Sequence, residues 1–348
     1  RMMAARGLAP ISDPGDLLAV LYQLSLDDDV QVAKSAATTS ADLPDPILSG
    51  ALADPALDPR VLDYFADLLR RRPEHLQRII LNRHVADETI ADLARRGTAA
   101  EIDLIAQNEE RLLRHPDIIS SMFHNRNARM STVDRALELA VRNGVEVSGI
   151  PAWDTMVKSI TGGGLSVAEL SPEDSDELFA ASMDAARAED RSSSEKVDNG
   201  DREADDGKKK RIPISKMTVP QKIRTATLGS SFERSELIRD SNRVVALAAI
   251  RAPGVNETEA AKYASNFSLS DDVVKYIADR RDWTKNYGVK LSLVQNPKTP
   301  IPAAVRMIPH LRERDLRSVS RSKNIPSAVA AQARKLIMQR SGRGPSRK

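Results

Sequence analysis

The chain has 348 residues, enough for two domains that each bury a core without metals or cross-links. It contains no cysteine, which excludes disulfides and thiolate-bound zinc or iron–sulfur clusters and favours a reducing, cytoplasmic compartment. The net charge of +3 divides into −6 over residues 1–150, −7 over 151–210 and +16 over 211–348, an asymmetry that points to an anionic partner.

Neither a leader nor a membrane span is predicted. The N-terminus, Arg1–Met2–Met3–Ala4–Ala5–Arg6, lacks the apolar core of a secretory signal, although a chain that opens with arginine is compatible with a lost leader. The longest purely apolar run, Val244 to Ile250, is far shorter than the ~20 residues of a transmembrane helix. We expect a cytoplasmic protein.

Helices are predicted along most of the chain. Aromatic residues make up only 3% of the sequence, which favours helices over sheets. Residues 16–26 have apolar side chains at helical spacing, and residues 45–53 do so after a proline-bearing turn. Both segments are therefore predicted as amphipathic helices.

A pattern recurs from residue 54 onward. It is aligned on seven anchor residues, which are Asp54, Asn82, Asn125, Ala252, Asn266, Asn296 and Ser322. The eighth residue after each anchor is apolar: Leu62, Ile90, Val133, Ala260, Val274, Ala304 and Ala330. The eleventh is apolar as well: Phe65, Leu93, Ala136, Tyr263, Ile277, Met307 and Ala333. A spacing of three places each pair on one face of a helix, so these residues are predicted to be core.

The spacing of the anchors predicts stacked helix pairs. Asp54 and Asn82, Asn266 and Asn296, and Asn296 and Ser322 are separated by 26 to 30 residues, which is room for two short helices and two turns. Such a period is typical of α-solenoids, in which each pair needs its neighbours to bury its apolar face. Other intervals are irregular, and a non-repetitive helical bundle is the alternative.

The predicted fold class is all-α, with two α-solenoid blocks of HEAT-like helix-pair repeats joined by an acidic disordered linker. The N-terminal repeat domain spans 1–150 and the basic C-terminal repeat domain spans 213–340, followed by a basic tail at 341–348. The acidic flexible linker spans 165–212, because this stretch is rich in Asp, Glu, Ser and Lys and cannot offset its ordering entropy. A lone helix over 176–188 is the one element expected within it.

Several stretches resemble a family of uncharacterised bacterial HEAT-like helical repeat proteins of delta-proteobacterial type. The resemblance is carried by Trp283–Thr284–Lys285–Asn286–Tyr287, Asn296–Pro297–Lys298–Thr299–Pro300, Leu311–Arg312–Glu313–Arg314–Asp315–Leu316, Ser322–Lys323–Asn324–Ile325–Pro326, Arg111–Leu112–Leu113–Arg114–His115–Pro116 and Ser131–Thr132–Val133–Asp134–Arg135. It implies helical repeats in both blocks, and it offers no established activity or catalytic residues to carry over. The irregular spacing departs from HEAT units of ~40 residues.

No residues suited to catalysis, metal binding or cofactor binding are visible in the sequence. None of the five histidines has a second ligand at metal spacing. Gly162–Gly163–Gly164 is followed by Leu165–Ser166 rather than by the Lys-Ser/Thr of a phosphate loop, so it is predicted as a hinge. We therefore predict a protein that is not an enzyme and has no cofactor.

Basic side chains near the C-terminus are the candidate functional residues. The possible contacts to a nucleic acid or another polyanion are Arg306, Arg312, Arg314, Arg317, Arg321, Lys323, Arg334 and Lys335. Aligned along one surface, they would neutralise phosphates. The alternative is the charged outer face of a solenoid end cap. No aromatic stacking platform or groove-reading helix is visible that would indicate single-strand or sequence-specific recognition.

These observations predict a non-enzymatic scaffold or adaptor that binds an unknown protein partner on an extended helical surface. The alternative function is non-specific nucleic-acid binding by the basic C-terminal block. A further possibility is that the acidic linker folds onto the basic block and competes with an anionic ligand. The sequence specifies neither the oligomeric state nor the binding face.

Overall fold

The computed structural model describes residues 1–162, 170–195 and 214–341. These residues form α-helices and short 3₁₀ turns and contain no β-strand, so the all-α prediction is confirmed. The chain divides into two compact units, unit 1 (Arg1–Trp153) and unit 2 (Asp154–Lys348). No helix in the described ranges combines the length and the apolar character needed to cross a membrane.

Unit 1 consists of eleven helices in its described residues. Their bounds are α1 Met2–Ala5, α2 Pro14–Ser25, α3 Val30–Ala41, α4 Asp45–Ala51, α5 Pro59–Leu68, α6 Pro73–Leu81, α7 Asp87–Arg96, α8 Ala99–Ala106, α9 Glu109–Arg114, α10 Asp117–His124 and α11 Met130–Arg142. The two helices predicted before residue 54 are α2 and α4. Local capping starts many of the others: at α5, Asp58 accepts a hydrogen bond from the Arg60 backbone N–H and Pro59 occupies the first turn.

Alternate helices of unit 1 pack side by side. Helix α3 contacts α5 and α5 contacts α7 in one row, while α2, α4, α6 and α8 contact one another successively in a second row, which continues to α11. Between α7 and α11 the order is less regular, because α9 and α10 are additional short helices and α10 packs against α7. This insertion explains the irregular anchor spacing in this part of the sequence.

Unit 2 contains the remaining helices of the described residues. Helix α12 (Trp153–Thr161) begins at the last residue of unit 1. The helices that follow are α13 Pro172–Glu195, α14 Val219–Leu228, α15 Ser231–Leu237, α16 Arg243–Arg251, α17 Glu257–Ala264, α18 Asp271–Asp279, α19 Tyr287–Gln295, α20 Ile301–Met307, α21 Glu313–Arg321 and α22 Ser327–Ser341. In one row α14 contacts α16, α16 contacts α18 and α20 contacts α22, while in the other α17 contacts α19 and α19 contacts α21.

The helix predicted over 176–188 lies within α13, whose greater length corrects the prediction of a flexible linker over 165–212. Helix α13 is 24 residues long, and its Phe179, Met183 and Ala186 are buried on one face, where the helix packs against α14. The guanidinium of Arg224 stacks 4.0 Å from the centre of the Phe179 ring. This apolar stripe stabilises the helix despite the acidic composition around it. The second unit therefore starts well before residue 213, and the predicted disorder at 196–211 and most of the tail at 341–348 lie outside the described residues.

The predicted core positions are buried. All fourteen residues at the eighth and eleventh positions after the anchors are at most 7% exposed, from Leu62 and Phe65 in α5 to Ala330 and Ala333 in α22. These positions recur on equivalent faces of successive helices and together supply much of the core of each unit. The prediction of the core from the sequence pattern is confirmed.

Five of the seven anchors form turns of one kind. In Asn82, Asn125, Asn266 and Asn296 the side-chain oxygen accepts a hydrogen bond from the backbone N–H two residues later, at 2.7 to 3.0 Å. Asp54 makes the same bond through its carboxylate, at 2.8 Å to the N–H of Ala56. Such turns position the chain for the next helix, because the side chain replaces a backbone acceptor.

Three anchor asparagines also join consecutive repeats of the pattern. The side-chain N–H groups of Asn82, Asn125 and Asn296 donate to backbone carbonyls that lie 28 to 32 residues earlier, at 2.8 to 3.4 Å. The acceptors are the carbonyls of Leu52 and Asp54 for Asn82, of Ala94 and Gly97 for Asn125, and of Ala264 and Asn266 for Asn296. All three asparagines are at most 7% exposed. Each therefore supplies a donor to carbonyls at a helix end, of which the Gly97 carbonyl also accepts from the side chain of Asn127 at 3.0 Å.

Replacing Asn296 with alanine tests this connection. We expect the Asn296→Ala variant to lose about 2 to 3 kcal/mol of unfolding free energy, since two buried carbonyls lose their donor and the local turn loses its acceptor. Asn266→Ala is the matched control: Asn266 makes the same turn, but within the described residues its amide N–H groups have no such acceptors. Urea unfolding of both variants measures the difference, and equal losses would contradict a role for Asn296 beyond its own turn.

Unit 2 also buries an ion pair between α15 and α17. Arg234 donates to both carboxylate oxygens of Glu259 at 3.1 Å, and to the carbonyls of Gly229 at 2.7 Å and Gly254 at 3.4 Å. The hydroxyl of Tyr263 donates to the same carboxylate. Burial alone would lower the pKa of Arg234, but the hydrogen bond and charge of Glu259 raise it above its ordinary value. Burial and the neighbouring Glu259 also raise the pKa of Tyr263.

Candidate anion-binding surface

Helix α21 presents a basic face to solvent. Leu316 and Val319 are fully buried, so their spacing of three residues fixes which side of the helix faces the core. Arg314, Arg317 and Arg321 follow helical spacing on the exposed side and are all exposed. Together with Glu313, Ser318 and Ser322 they line a surface pocket of about 890 Å³. We call Arg314, Arg317 and Arg321 the α21 arginines.

The acidic residues of α21 neutralise little of this face. Glu313 pairs with Arg317 one turn later. Asp315 accepts a hydrogen bond from the hydroxyl of Tyr287, and burial together with this bond raises the pKa of that tyrosine. Within the described residues Arg314 and Arg321 have no hydrogen-bond or ion-pair partner. Two of the α21 arginines are therefore available to an external anion.

The structure brings only some of the other predicted contact residues to this face. Arg334 lies next to α21, since its Nε donates to the carbonyl of Ser320 at 3.2 Å. Arg312 is held by Tyr287, because its guanidinium lies 4.7 Å from the centre of that ring and its backbone N–H donates to the tyrosine hydroxyl at 3.0 Å. The remaining three, Arg306, Lys323 and Lys335, are exposed but do not line the pocket.

A second group of basic residues surrounds two aromatic rings at the C-terminal end of α18. Tyr276 and Trp283 pack edge to face with their ring centres 6.0 Å apart. Arg280 lies 5.2 Å from the centre of the Tyr276 ring and 5.6 Å from that of Trp283, and its Nε donates to the Tyr276 hydroxyl at 3.0 Å. Arg251, at the end of α16, lies 5.4 Å from the centre of the Tyr276 ring. We call these four residues the aromatic–arginine cluster.

The sequence prediction did not contain this combination of aromatic rings and basic residues, and the cluster lies outside its eight contact residues. Tyr276, Arg280 and Trp283 have spacings of four and three, which could have placed them on one helix face. The helix ends at Asp279, however, and Trp283 begins a 3₁₀ turn, so the pattern is not a continuous helix. Arg251 joins from the preceding helix pair, which periodicity within one helix cannot indicate.

Both surfaces offer groups that can bind anions and planar rings. Guanidinium groups neutralise phosphates and carboxylates, and rings accept stacked planar groups. In the described parts of the chain no three histidine, aspartate or glutamate side chains come together as a metal site would require. A smaller pocket of about 450 Å³ in unit 1, next to His115, Asp117 and Arg95, is polar and contains carboxylates as well as cations, so it does not favour an anion.

Comparisons with known proteins assign the chain to no family. No protein-family model, curated protein or solved structure matches the chain. The function is therefore argued from the contacts, burial and charge of the described residues.

Proposed function

We propose that the protein is a non-enzymatic scaffold or adaptor, an α-solenoid of HEAT-like helix pairs in two blocks that holds a protein partner on an extended helical surface. The observation that carries this proposal is the set of asparagine hydrogen bonds to carbonyls 28 to 32 residues earlier. Bonds of one kind at one sequence separation are expected when similar helix pairs stack in register, each contacting its neighbours. A non-repetitive bundle gives no reason for a fixed separation.

A turn shared by the two units also supports the repeat. In unit 1 the sequence Gly97–Thr98–Ala99–Ala100–Glu101 joins α7 to α8, and in unit 2 Gly229–Ser230–Ser231–Phe232–Glu233 joins α14 to α15. In both, the glutamate accepts a hydrogen bond from the backbone N–H three residues earlier, at 2.7 and 2.9 Å. A side chain at either glycine would meet a backbone oxygen at 2.7 Å or less. The same packing constraint thus selects the same residues in both blocks.

The scaffold proposal is tested by recovering the partner under conditions that remove nucleic acid. The full chain is used as bait in an extract of its source organism, with nuclease present, and bound proteins are cross-linked and mapped. We expect a partner in a fixed stoichiometry whose cross-links lie on exposed residues of consecutive helix pairs. If Asn296→Ala abolishes partner binding only under conditions in which the variant is unfolded, the result agrees with binding of the partner at the protein surface. A partner recovered solely without nuclease would count against the proposal.

The second candidate function is non-specific nucleic-acid binding by the basic C-terminal block. It is favoured by the exposure of all eight predicted contact residues and by the two unpartnered α21 arginines. Arginines aligned on one helix face can neutralise successive phosphates and release their counterions. Because such binding reads no bases, it would be strong at low salt and weak in sequence preference.

Removing the α21 arginines tests this candidate. The variant Arg314→Ser/Arg317→Ser/Arg321→Ser should bind duplex DNA more weakly than the natural chain, and the slope of log affinity against log salt should fall by about 1 for each contacting arginine. The matched control removes three exposed arginines of unit 1, Arg71, Arg78 and Arg83, and should change neither quantity. Fluorescence anisotropy between ~50 and ~200 mM salt measures both. If the natural chain does not bind duplex DNA at ~50 mM salt, the α21 arginines form a solvated surface without a role in nucleic-acid binding.

A further inference from the structure

We propose that the aromatic–arginine cluster is a binding site for single-stranded nucleic acid, in which a base stacks on Trp283 or Tyr276 and Arg251 and Arg280 contact the adjoining phosphates. The proposal rests on the second candidate function and adds to it a strand preference and a location outside α21. Its residues are Arg251, Tyr276, Arg280 and Trp283.

The geometry of the rings is suited to stacking. Tyr276 and Trp283 are both partly exposed, and their edge-to-face packing leaves neither ring stacked face to face on the other. The turn that carries Trp283 is fixed locally, because Thr284 donates from its hydroxyl to the carbonyl of Arg280 at 3.1 Å and Lys285 pairs with Asp282 at 2.8 Å. Rings held in place lose little conformational entropy when a base stacks on them.

The arginines can serve both the rings and a ligand. Arg251 and Arg280 are exposed, and both guanidinium groups lie 5.2 to 5.6 Å from a ring centre, within the range of a cation–π contact. Within the described residues neither guanidinium group has a carboxylate as a hydrogen-bond or ion-pair partner. A phosphate can therefore bind them without displacing an ion pair.

The surrounding charge favours an anion. Lys275, Arg280 and Arg281 are exposed on the same stretch of chain. The acids of this stretch are Asp279 and Asp282, and Glu257 acts on Lys285 from α17. Lys285 lowers the pKa of Asp282 through a direct hydrogen bond and its charge. Lys285 thus engages one of the two acids, and Arg251 adds a further positive charge from the neighbouring helix pair.

Single strands fit these features better than duplexes do. Stacking requires an unpaired base whose face is free, whereas the bases of a duplex are already stacked within it. The combination of aromatic faces and basic groups is the chemistry by which proteins bind single strands without reading sequence. The α21 arginines, in contrast, have no aromatic ring among the residues that line their pocket.

Tryptophan fluorescence provides a direct test, because the chain has two tryptophans and Trp283 is one of them. In a Trp153→Phe background Trp283 is the sole tryptophan, and the cluster itself is unchanged. We expect an oligothymidylate of about 15 nucleotides to quench this fluorescence in a saturable manner. Measured by the fluorescence anisotropy of a dye-labelled oligothymidylate, Trp283→Ala and Tyr276→Ala should each weaken binding roughly 10-fold or more, and Trp283→Phe, which retains a ring, should weaken it less. Binding of duplex DNA should change by less than about twofold.

Phe267→Ala is the matched control. Phe267 is an exposed aromatic residue of unit 2 that precedes the N-terminal end of α18, and it lies outside the cluster. Its loss should not affect binding.

The proposal is overturned if oligothymidylate binds without quenching Trp283, if Phe267→Ala weakens binding as much as Trp283→Ala does, or if polyglutamate quenches Trp283 equally well. Where neither single strands nor duplexes bind at low salt, the nucleic-acid function fails and takes this inference with it. If the triple α21 variant abolishes oligothymidylate binding and Trp283→Ala does not, the nucleic-acid function is retained. Only the proposal that the aromatic–arginine cluster is the binding site is then overturned.

Discussion

Ile277→Asp should unfold much of unit 2 at room temperature. Ile277 is fully buried on α18, at the eleventh position after Asn266. The variant loses the packing of a large aliphatic side chain and places a carboxylate in a fully buried position. We expect a loss of more than about 4 kcal/mol, which is comparable with the whole stability of many domains. Circular dichroism during thermal melting measures it.

The control for this substitution lies on the same helix. Lys275 is exposed on α18, so Lys275→Asp introduces the same side chain on the solvent face and should change stability by about 0.5 kcal/mol or less. Leu93→Asp makes the equivalent test in unit 1, where Leu93 is 5% exposed. Thermal melts in which Ile277→Asp and Lys275→Asp are indistinguishable would show that the repeat pattern has been phased incorrectly.

Glu259→Gln should destabilise unit 2 by about 3 to 5 kcal/mol. The substitution keeps the shape of the side chain but removes the negative charge that faces the Arg234 guanidinium, whose side chain is 8% exposed. A buried cation without its counterion is strongly unfavourable, whereas the pair itself adds little beyond what apolar residues of the same size would. Chemical denaturation of the variant and the natural chain measures the loss.

Two further variants distinguish the stability effect of the buried ion pair from that of an exposed one. Glu313→Gln breaks the exposed pair with Arg317 on α21 and should cost less than about 1 kcal/mol. The double variant Arg234→Met/Glu259→Leu should be more stable than Glu259→Gln, because it leaves no buried charge without a partner. It should still be about 2 kcal/mol less stable than the natural chain, because the carbonyls of Gly229 and Gly254 lose their donor. Similar losses for Glu259→Gln and Glu313→Gln would mean that Arg234 reaches solvent.

Sequence periodicity predicted the helices and the core because both depend on local spacing. Apolar residues three apart lie on one helix face whatever the helix packs against, which is why Leu62 with Phe65 and Val274 with Ile277 are buried as expected. The anchor turns were also visible, since Asn296 and its equivalents bond to the backbone two residues later.

Composition failed where a short apolar stripe decided the outcome. The stretch around α13 is acidic, so only a lone helix over 176–188 was predicted within a flexible linker. Phe179, Met183 and Ala186, at helical spacing in that segment, pack a longer helix against α14. The composition of residues 165–212 as a whole did not indicate this packing.

The candidate sites divide in the same way. The basic face of α21 follows from helical spacing, although the sequence prediction did not set Arg314, Arg317 and Arg321 apart from the other five basic residues. The sequence alone could not show that Arg306 and Lys335 lie outside the pocket that the α21 arginines line. The aromatic–arginine cluster was missed, because it combines a helix end, a 3₁₀ turn and Arg251 from another helix pair.

By itself the sequence determined the all-α class, the faces of the helices that form the core and the basic character of the C-terminal block, because composition and local spacing fix each of these. Only the tertiary structure decided which carbonyl each asparagine contacts, which charges pair inside unit 2 and which arginines lie beside aromatic rings. The physical reason is range: helical periodicity acts over three or four residues, whereas these contacts join side chains that lie about 25 to 32 residues apart and meet only when helix pairs pack together.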